Sequence, residues 1–425
     1  MRATCRPPGA VRLGPGGQLI SLIGGCAEAC DLTGDAFSTA KRGPATVDRA
    51  ADTSVVIPAG GLDALIEVLR ARGYQVWGAR ETDGALTLGP IASASDLPRG
   101  RIEAAEAGTV RLIDGPRDAY FDHTLPMQGL KRAVYPAEER LYEVGMDMAA
   151  EEDPVEAPPL AVIGLRPCDL AALETLTAVF EDGPFVDTRF RRRREALLLI
   201  AVNCMRPAAT CFCASMNTGP RAEGGFDLVL DEIVEDGRHV FVAGAGSAKG
   251  REILDAVSGE LASEADLRTA RAGSRACAEA QQRRMGEDVE ALLKRNYEHP
   301  HWAAVAERCL SCANCTLVCP TCFCGTVEDR SSLDGAQAER WRRWDSCFSL
   351  DFSYLHGGAV RTETASRYRQ WITHKLSHWH DQFGRSGCVG CGRCIAWCPV
   401  GIDITAEVAA LAAAEQTAEQ AGKEA

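Results

Sequence analysis

Residues 309–320 read CLSCANCTLVCP, and residues 388–399 read CVGCGRCIAWCP. Both stretches follow the pattern C-x-x-C-x-x-C-x-x-x-C-P. Three closely spaced thiolates in such a run hold three corners of a [4Fe–4S] cubane, and the fourth cysteine ligates the other cluster. The proline directs the chain away from the cluster, and it has no backbone N–H that would need a hydrogen-bond acceptor there. The repeated pattern therefore predicts two [4Fe–4S] clusters.

The exchange of the fourth cysteine assigns a ligand set to each predicted cluster. The first set is Cys309, Cys312, Cys315 and Cys398. The second set is Cys388, Cys391, Cys394 and Cys319. Zinc ribbons are the alternative, but their cysteines come as two distant C-x-x-C pairs. Two complete runs favour iron–sulfur clusters over zinc.

The distance between the two runs bears on fold and function. Sixty-eight residues separate Cys319 from Cys388, and much of that stretch has a helical pattern. This resembles the alpha-helical ferredoxin fold, in which helices carry the two runs. No general base and nucleophile stand nearby, so the simplest function is the relay of single electrons.

Composition narrows the class of protein. The chain has 425 residues, 46% of them hydrophobic, which suits a soluble protein with a full core. A net charge of −13 argues against a nucleic-acid partner. No stretch reaches the roughly 18 to 20 apolar residues of a membrane span. The nineteen cysteines are mostly in tight groups, which favours metal binding in a reducing compartment, the cytoplasm.

Pattern changes along the chain predict four regions. Residues 1–53 are rich in Gly, Pro, Ala and Thr, and we interpret them as a disordered extension or the product of an over-early start codon. Residues 54–157 form an N-terminal α/β region, and residues 158–262 an α/β domain. Residues 263–425 form the alpha-helical dicluster ferredoxin domain. The predicted fold is thus an α/β part with mostly parallel strands, followed by a helical ferredoxin-like domain.

Four more cysteines fall in loops of the α/β domain. Cys168 and Cys204 each follow a predicted strand, and Cys211 and Cys213 form a C-x-C loop. Because the carboxyl ends of strands in an open α/β sheet converge on one crevice, these thiols can supply a third [4Fe–4S] cluster. The alternative is that they are reduced, buried thiols that pack as small apolar residues.

Two smaller groups have weaker signals. Cys322, Cys324 and Cys347 lie close to the first run; we interpret them as thiols packed near the cluster, and the alternative is that they are alternative ligands. His374, His378 and His380 have metal-like spacing, but no carboxylate or thiolate completes the set, so a polar helix surface is favoured.

A combination of motifs resembles one family. These motifs are Arg166-Pro167-Cys168-Asp169, Cys211-Phe212-Cys213, Cys319-Pro320-Thr321-Cys322-Phe323-Cys324 and Trp344-Asp345-Ser346-Cys347. The chain resembles the beta subunit of soluble sulfhydrogenases, the NAD(P)-linked [NiFe] hydrogenases. It is equally similar to the electron-transfer subunit of anaerobic sulfite reductases. The resemblance covers about residues 55–405.

The resemblance implies partners that spacing alone does not. Such chains lie beside a flavin-containing diaphorase subunit with its own [2Fe–2S] centre. They pass electrons to or from the small subunit of a [NiFe] hydrogenase or the siroheme subunit of a sulfite reductase. The resemblance thus implies a non-catalytic role in electron transfer. The alternative of another class is a stand-alone flavin-dependent ferredoxin-type reductase, and stoichiometric flavin in the isolated chain would favour it.

Overall fold

The computed structural model describes residues 54–424, apart from residues 125, 147–149 and 236. The expectations for residues 1–53 lie outside these described residues. The strands are β1 (Val55–Pro58), β2 (Gln75–Thr82), β3 (Ala85–Pro90), β4 (Arg101–Glu106), β5 (Thr109–Asp114), β6 (Glu138–Val144), β7 (Ala150–Glu152), β8 (Leu160–Leu165), β9 (Leu197–Val202), β10 (Leu228–Glu235), β11 (Arg238–Ala245), β12 (Glu260–Leu261), β13 (Gly325–Ser331), β14 (Ala338–Trp344), β15 (Tyr354–Leu355) and β16 (Gly358–Ala359).

The helices fall between and after these strands. They are α1 (Gly61–Ala71), α2 (Lys131–Val134), α3 (Pro167–Phe180), α4 (Thr188–Glu195), α5 (Ala248–Leu254), α6 (Glu264–Glu279), α7 (Val289–Arg295), α8 (His301–Ala306), α9 (Asn314–Leu317), α10 (Thr364–Thr373), α11 (Trp379–Phe383), α12 (Arg393–Ala396) and α13 (Ile404–Glu424). A π-helix, His374–His378, joins α10 to α11. No helix among the described residues is long and apolar enough to cross a membrane.

One eight-stranded sheet organises the α/β part, in the order β12-β1-β11-β10-β9-β8-β2-β3. It takes strands from both sides of the predicted boundary near residue 157, so that boundary does not separate two sheets. Only the central strands β2, β8, β9 and β10 are parallel neighbours. The outer pairs are antiparallel, which corrects the expectation of mostly parallel strands. The β2–β3 pair shows why: a two-residue Asp83-Gly84 turn with positive φ at both residues closes a hairpin.

Helices cover both faces of this sheet. Leucines and isoleucines of α1 and α5 pack with Ile163, Leu198 and Ile200 on one face. Helices α3 and α4 pack over Val162 and Leu197 on the other face. Successive strand residues point to opposite faces, so the near-continuous apolar runs of β8 and β9 serve both layers.

The C-terminal part is less helical than its pattern predicts. The stretch 364–383 between the cysteine runs is helical, but β13 and β14 form a hairpin that joins β6 and β7 in a four-stranded sheet. These strands are polar because charged residues pair across them, such as Arg342 with Glu139 and Arg340 with Asp329. For this reason the sequence pattern did not predict the hairpin. A separate apolar core built around Trp302, Tyr368 and Trp371 supports the cysteine loops.

Candidate iron–sulfur centres

The two cysteine runs have the same backbone conformation. In the first run Ser311 and Ala313 have positive φ values of 49° and 65°. In the second run Gly390 and Gly392, at the equivalent positions, have values of 62° and 75°. The third cysteine of each run then lies in the first turn of a short helix, α9 or α12. The repeated pattern is therefore a repeated loop, and we call the two copies the first and second cysteine loops.

The first cysteine loop and the end of the second run enclose one pocket. It holds about 430 Å³ of empty space, open in part to solvent. Its lining is Cys309, Leu310, Cys312, Ala313, Cys315, Phe348, Tyr368, Trp371, Cys394, Cys398, Pro399, Val400 and Ile402. Cys398 thus lies with the three cysteines of the first run, and we call this group the first site.

The first site is apolar and partly exposed. Burial raises the pKa of the Cys315 thiol well above its usual value, and the Cys309 and Cys398 thiols raise it further. The Ile402 N–H donates to Cys398 Sγ at 3.3 Å. Cys312 is exposed, so the first site reaches the surface.

The second site combines the second cysteine loop with Cys319. Burial raises the pKa of Cys394 well above its usual value, and the neighbouring thiols of Cys388, Cys391 and Cys319 raise it further. The Gly390 N–H donates to Cys388 Sγ at 3.5 Å. The structure therefore brings together the members of each predicted set, including the exchanged cysteine.

A buried lysine lies against the second site. The Lys375 ammonium, on the π-helix, donates to Cys319 Sγ at 3.3 Å and to Thr321 Oγ1 at 2.9 Å. Burial lowers the pKa of Lys375, but the Cys319 and Cys322 thiols outweigh burial and raise it, so the ammonium is charged. Sequence reasoning missed Lys375, because the extra residue of a π-helix turns its side chain inward and leaves no signal in a spacing pattern.

A buried arginine lies on the other flank of the second site. Arg393 has no exposed side-chain surface, and its Nη1 lies 2.9 Å from Asp169 Oδ1 in α3. Its Nε donates to the Pro126 carbonyl at 3.0 Å. Burial lowers the pKa of Arg393, whereas Asp169 and Cys391 raise it above its usual value. This contact joins the second cysteine loop to the α/β part, and the Asp169 carboxylate offsets the charge of the arginine.

The α/β cysteines lie beside the second site. The Phe212 N–H, within the C-x-C loop, donates to the Gly390 carbonyl at 2.9 Å. Cys204, Cys211 and Cys213 are all buried and neighbour one another. Cys168 has Cys391 and Cys213 as neighbouring thiols. A fifth buried cysteine, Cys277 of α6, lies with this group. It had no partner within a short motif, so the sequence did not single it out.

The two weaker groups differ in placement. The Cys324 and Cys347 thiols are hydrogen-bonded to each other near the second site. The histidines at 374, 378 and 380 share no ligand set, and burial lowers the pKa of His374 to about 4. Within residues 54–424 and outside their gaps, no three or more His, Cys, Asp or Glu side chains surround a single-ion position.

The donors present fit [4Fe–4S] clusters. Each site offers four thiols and a backbone N–H that donates to a cysteine sulfur, and the first site also encloses a pocket. Thiolates are the ligands of such clusters, and N–H···S bonds tune them. Ligation requires deprotonated cysteines, so loading would release protons from thiols whose pKa burial raises, such as Cys315 and Cys394. The pKa of Cys319 is instead held well below its usual value by a hydrogen bond with Cys322 and by the Lys375 charge.

Comparison with known proteins adds two findings. A family model described as a 4Fe–4S dicluster domain matches residues 308–402, which contain both cysteine loops. Over 251 residues the chain is 34% identical to sulfhydrogenase 2 subunit beta of Pyrococcus furiosus. That match covers 57% of this chain and 71% of the relative.

Proposed function

The chain belongs to the sulfhydrogenase beta-subunit family, and we propose that it relays electrons between the [NiFe] subunits of a soluble hydrogenase and its flavin diaphorase subunit. The family and the dicluster domain support a role in iron–sulfur electron transfer. The relative's name, that of one subunit of a sulfhydrogenase, supports a multi-subunit complex. The partners in this proposal are the diaphorase and the small hydrogenase subunit.

The observation that carries the proposal is the exchange of cysteines between the loops. In the first site Cys398 lies with Cys309, Cys312 and Cys315. In the second site Cys319 lies with the cysteines of the second cysteine loop. Two interleaved ligand sets keep their clusters adjacent, and the bound clusters supply one-electron oxidation and reduction. The protein holds them, shields the second site from water and sets the charge around each.

The two sites differ in solvent exposure, and a relay needs one cluster that a partner's cofactor can approach. The exposed Cys312 gives the first site a surface that a partner's cofactor can approach. The second site lies deeper, against the α/β part. The proposal places the chain in the cytoplasm, because all sixteen described cysteines are free thiols.

The proposal is tested in the assembled complex with Cys312→Ala and Cys391→Ala. Hydrogen-dependent reduction of NAD(P) is expected to fall at least about tenfold, since each variant loses one ligand of the relay. Hydrogen oxidation with an artificial dye and NAD(P)H oxidation with the same dye are expected to persist, because the partner subunits perform them. Cys324→Ala is the matched control and should leave overall transfer intact.

Three results would contradict the proposal. Full hydrogen-to-NAD(P) transfer by both variants would show that the two loops carry no electrons. Purification with a siroheme protein in place of [NiFe] subunits would assign the chain to sulfite reduction. Tight, stoichiometric flavin in the isolated chain would indicate a stand-alone reductase.

A further inference from the structure

We propose a third [4Fe–4S] site, in which a helix cysteine takes the place that sequence analysis gave to Cys168. Its four ligands are Cys204, Cys211, Cys213 and Cys277. These residues lie outside residues 308–402, where the dicluster domain is matched. The site extends the proposed relay but does not depend on the two loops for its ligands.

Helix α6 aims Cys277 at the C-x-C loop. Residues four apart lie on one helix face, so Gly273 and Cys277 face the same way, and Gln281 follows just after the end of the helix. At one end, a Cβ on Gly273 would lie 2.4 Å from Met205 Sδ, which shows how closely the helix packs there. At the other end, Gln281 Nε2 donates to Cys213 Sγ at 3.2 Å. Cys277 lies between these two anchors and therefore faces the loop.

The four thiols form a buried group drawn from three segments. Cys204 follows β9, Cys211 and Cys213 lie in the loop, and Cys277 comes from α6. Their exposed fractions are 8%, 8%, 6% and 2%. Burial raises the pKa of Cys277, and its neighbours Cys204, Cys211 and Cys213 raise it further. Four convergent thiols without disulfides are the donor set of a [4Fe–4S] cluster.

Cys168 occupies a different position. Cys168 packs with Cys213 of the C-x-C loop and with Val389 and Cys391 of the second cysteine loop. Of the α/β thiols, Cys213 acts on the pKa of Cys168, whereas Cys204, Cys211 and Cys213 all act on the pKa of Cys277. We therefore assign Cys168 to packing between the second and third sites.

The third site neighbours the second site. Cys391 of the second loop neighbours both Cys211 and Cys213. A solvent-open pocket with about 520 Å³ of empty space, open solvent included, is lined by Ala214, Ser215, Ala278, Glu279, Gln281, Arg283 and Arg284. Ala214 and Ala278 directly follow the ligands Cys213 and Cys277 in sequence. A cluster here would link the buried second site to residues that line a solvent-open pocket.

The test compares Cys277→Ala with Cys168→Ala in the anaerobically prepared full-length chain. Wild type is expected to hold about twelve iron atoms per chain, since three clusters carry four each. Cys277→Ala should fall to about eight and lose one component of the reduced EPR spectrum. Cys168→Ala should retain about twelve. In a second variant, Gln281→Leu should keep its iron and shift one midpoint potential downward, because an N–H···S bond is lost.

The outcomes separate this inference from the proposed function. About eight iron atoms in wild type, or about twelve in Cys277→Ala, would overturn the third site and leave the two-loop relay standing. Loss of four iron atoms from Cys168→Ala would restore Cys168 as a ligand and overturn the exchange of Cys168 for Cys277. Unchanged potentials in Gln281→Leu would also contradict the third site, even if Cys277→Ala failed to fold.

Discussion

The two cysteine loops share one backbone path but use different residues to follow it. The second loop has glycine at both left-handed positions, and the first has Ser311 and Ala313. Left-handed conformation costs about 1 to 2 kcal/mol for a residue with a Cβ. In the first loop Ala313 lines the pocket, and the Ser311 hydroxyl is hydrogen-bonded to Thr364 and Arg367.

The second loop has no room for a Cβ at either position. A Cβ on Gly392 would lie 2.2 Å from the Thr210 carbonyl oxygen, and one on Gly390 would lie 2.7 Å from the Cys213 backbone. The glycines are therefore required by backbone-to-backbone packing, as well as by their φ values. The comparison teaches that equal sequence patterns can serve one exposed and one enclosed site.

The two sites differ in the charged residues around them as well as in their packing. Aromatic and aliphatic residues surround the first site, with Arg367 near Cys309. The second site has the Lys375 ammonium bonded to a ligand sulfur and Arg393 beside Cys391. Positive charge stabilises the more negative, reduced form of a cluster. We expect a cluster held at the second site to have a higher midpoint potential than one held at the first site.

The largest expected effect comes from Gly392→Ala. The added Cβ meets the Thr210 carbonyl and must also adopt positive φ, so we expect a loss of about 3 to 5 kcal/mol in the free energy of unfolding. Iron bound at the second site should fall with it. Thermal unfolding and iron analysis are the measurements. A variant as stable as wild type would show that the loops do not pack as described.

Lys375→Met tests the difference in charge. Removing the ammonium should lower the midpoint potential of one cluster by roughly 100 mV, which corresponds to about 2 kcal/mol per electron. Redox titration followed by EPR measures it. Lys294→Met is the control, because Lys294 is paired on the surface with Glu290 and Asp381. Equal shifts in both variants would disprove a local effect.

Ala313→Gly should give the smallest change. Removing the Cβ relieves the left-handed strain, but glycine gains freedom in the unfolded chain, so we expect stabilisation of less than about 1 kcal/mol. Chemical denaturation of this variant beside Gly392→Ala measures the contrast. Destabilisation by Ala313→Gly would mean that the first loop is as constrained as the second.

Sequence reasoning captured what depends on local order. The fixed spacing predicted which cysteines lie together, and the structure groups the eight cysteines in that way. That they ligate clusters stays a prediction. The strand–helix alternation likewise predicted the α/β part. What it missed depends on distant segments: Cys277 meets the C-x-C loop only through the packing of α6, and Lys375 reaches Cys319 only through a π-helix.

The contact of the second cysteine loop with the C-x-C loop also constrains how the protein is made. Once Gly390 and Gly392 lie on the backbone of residues 210–213, the second site is closed on that side. An inorganic core cannot be carried through this contact, so we expect biogenesis factors to deliver iron and sulfide before the C-terminal segment docks. Maturation would then be a timed step of biosynthesis, and chain synthesised under iron starvation would accumulate with that segment undocked and open to proteases.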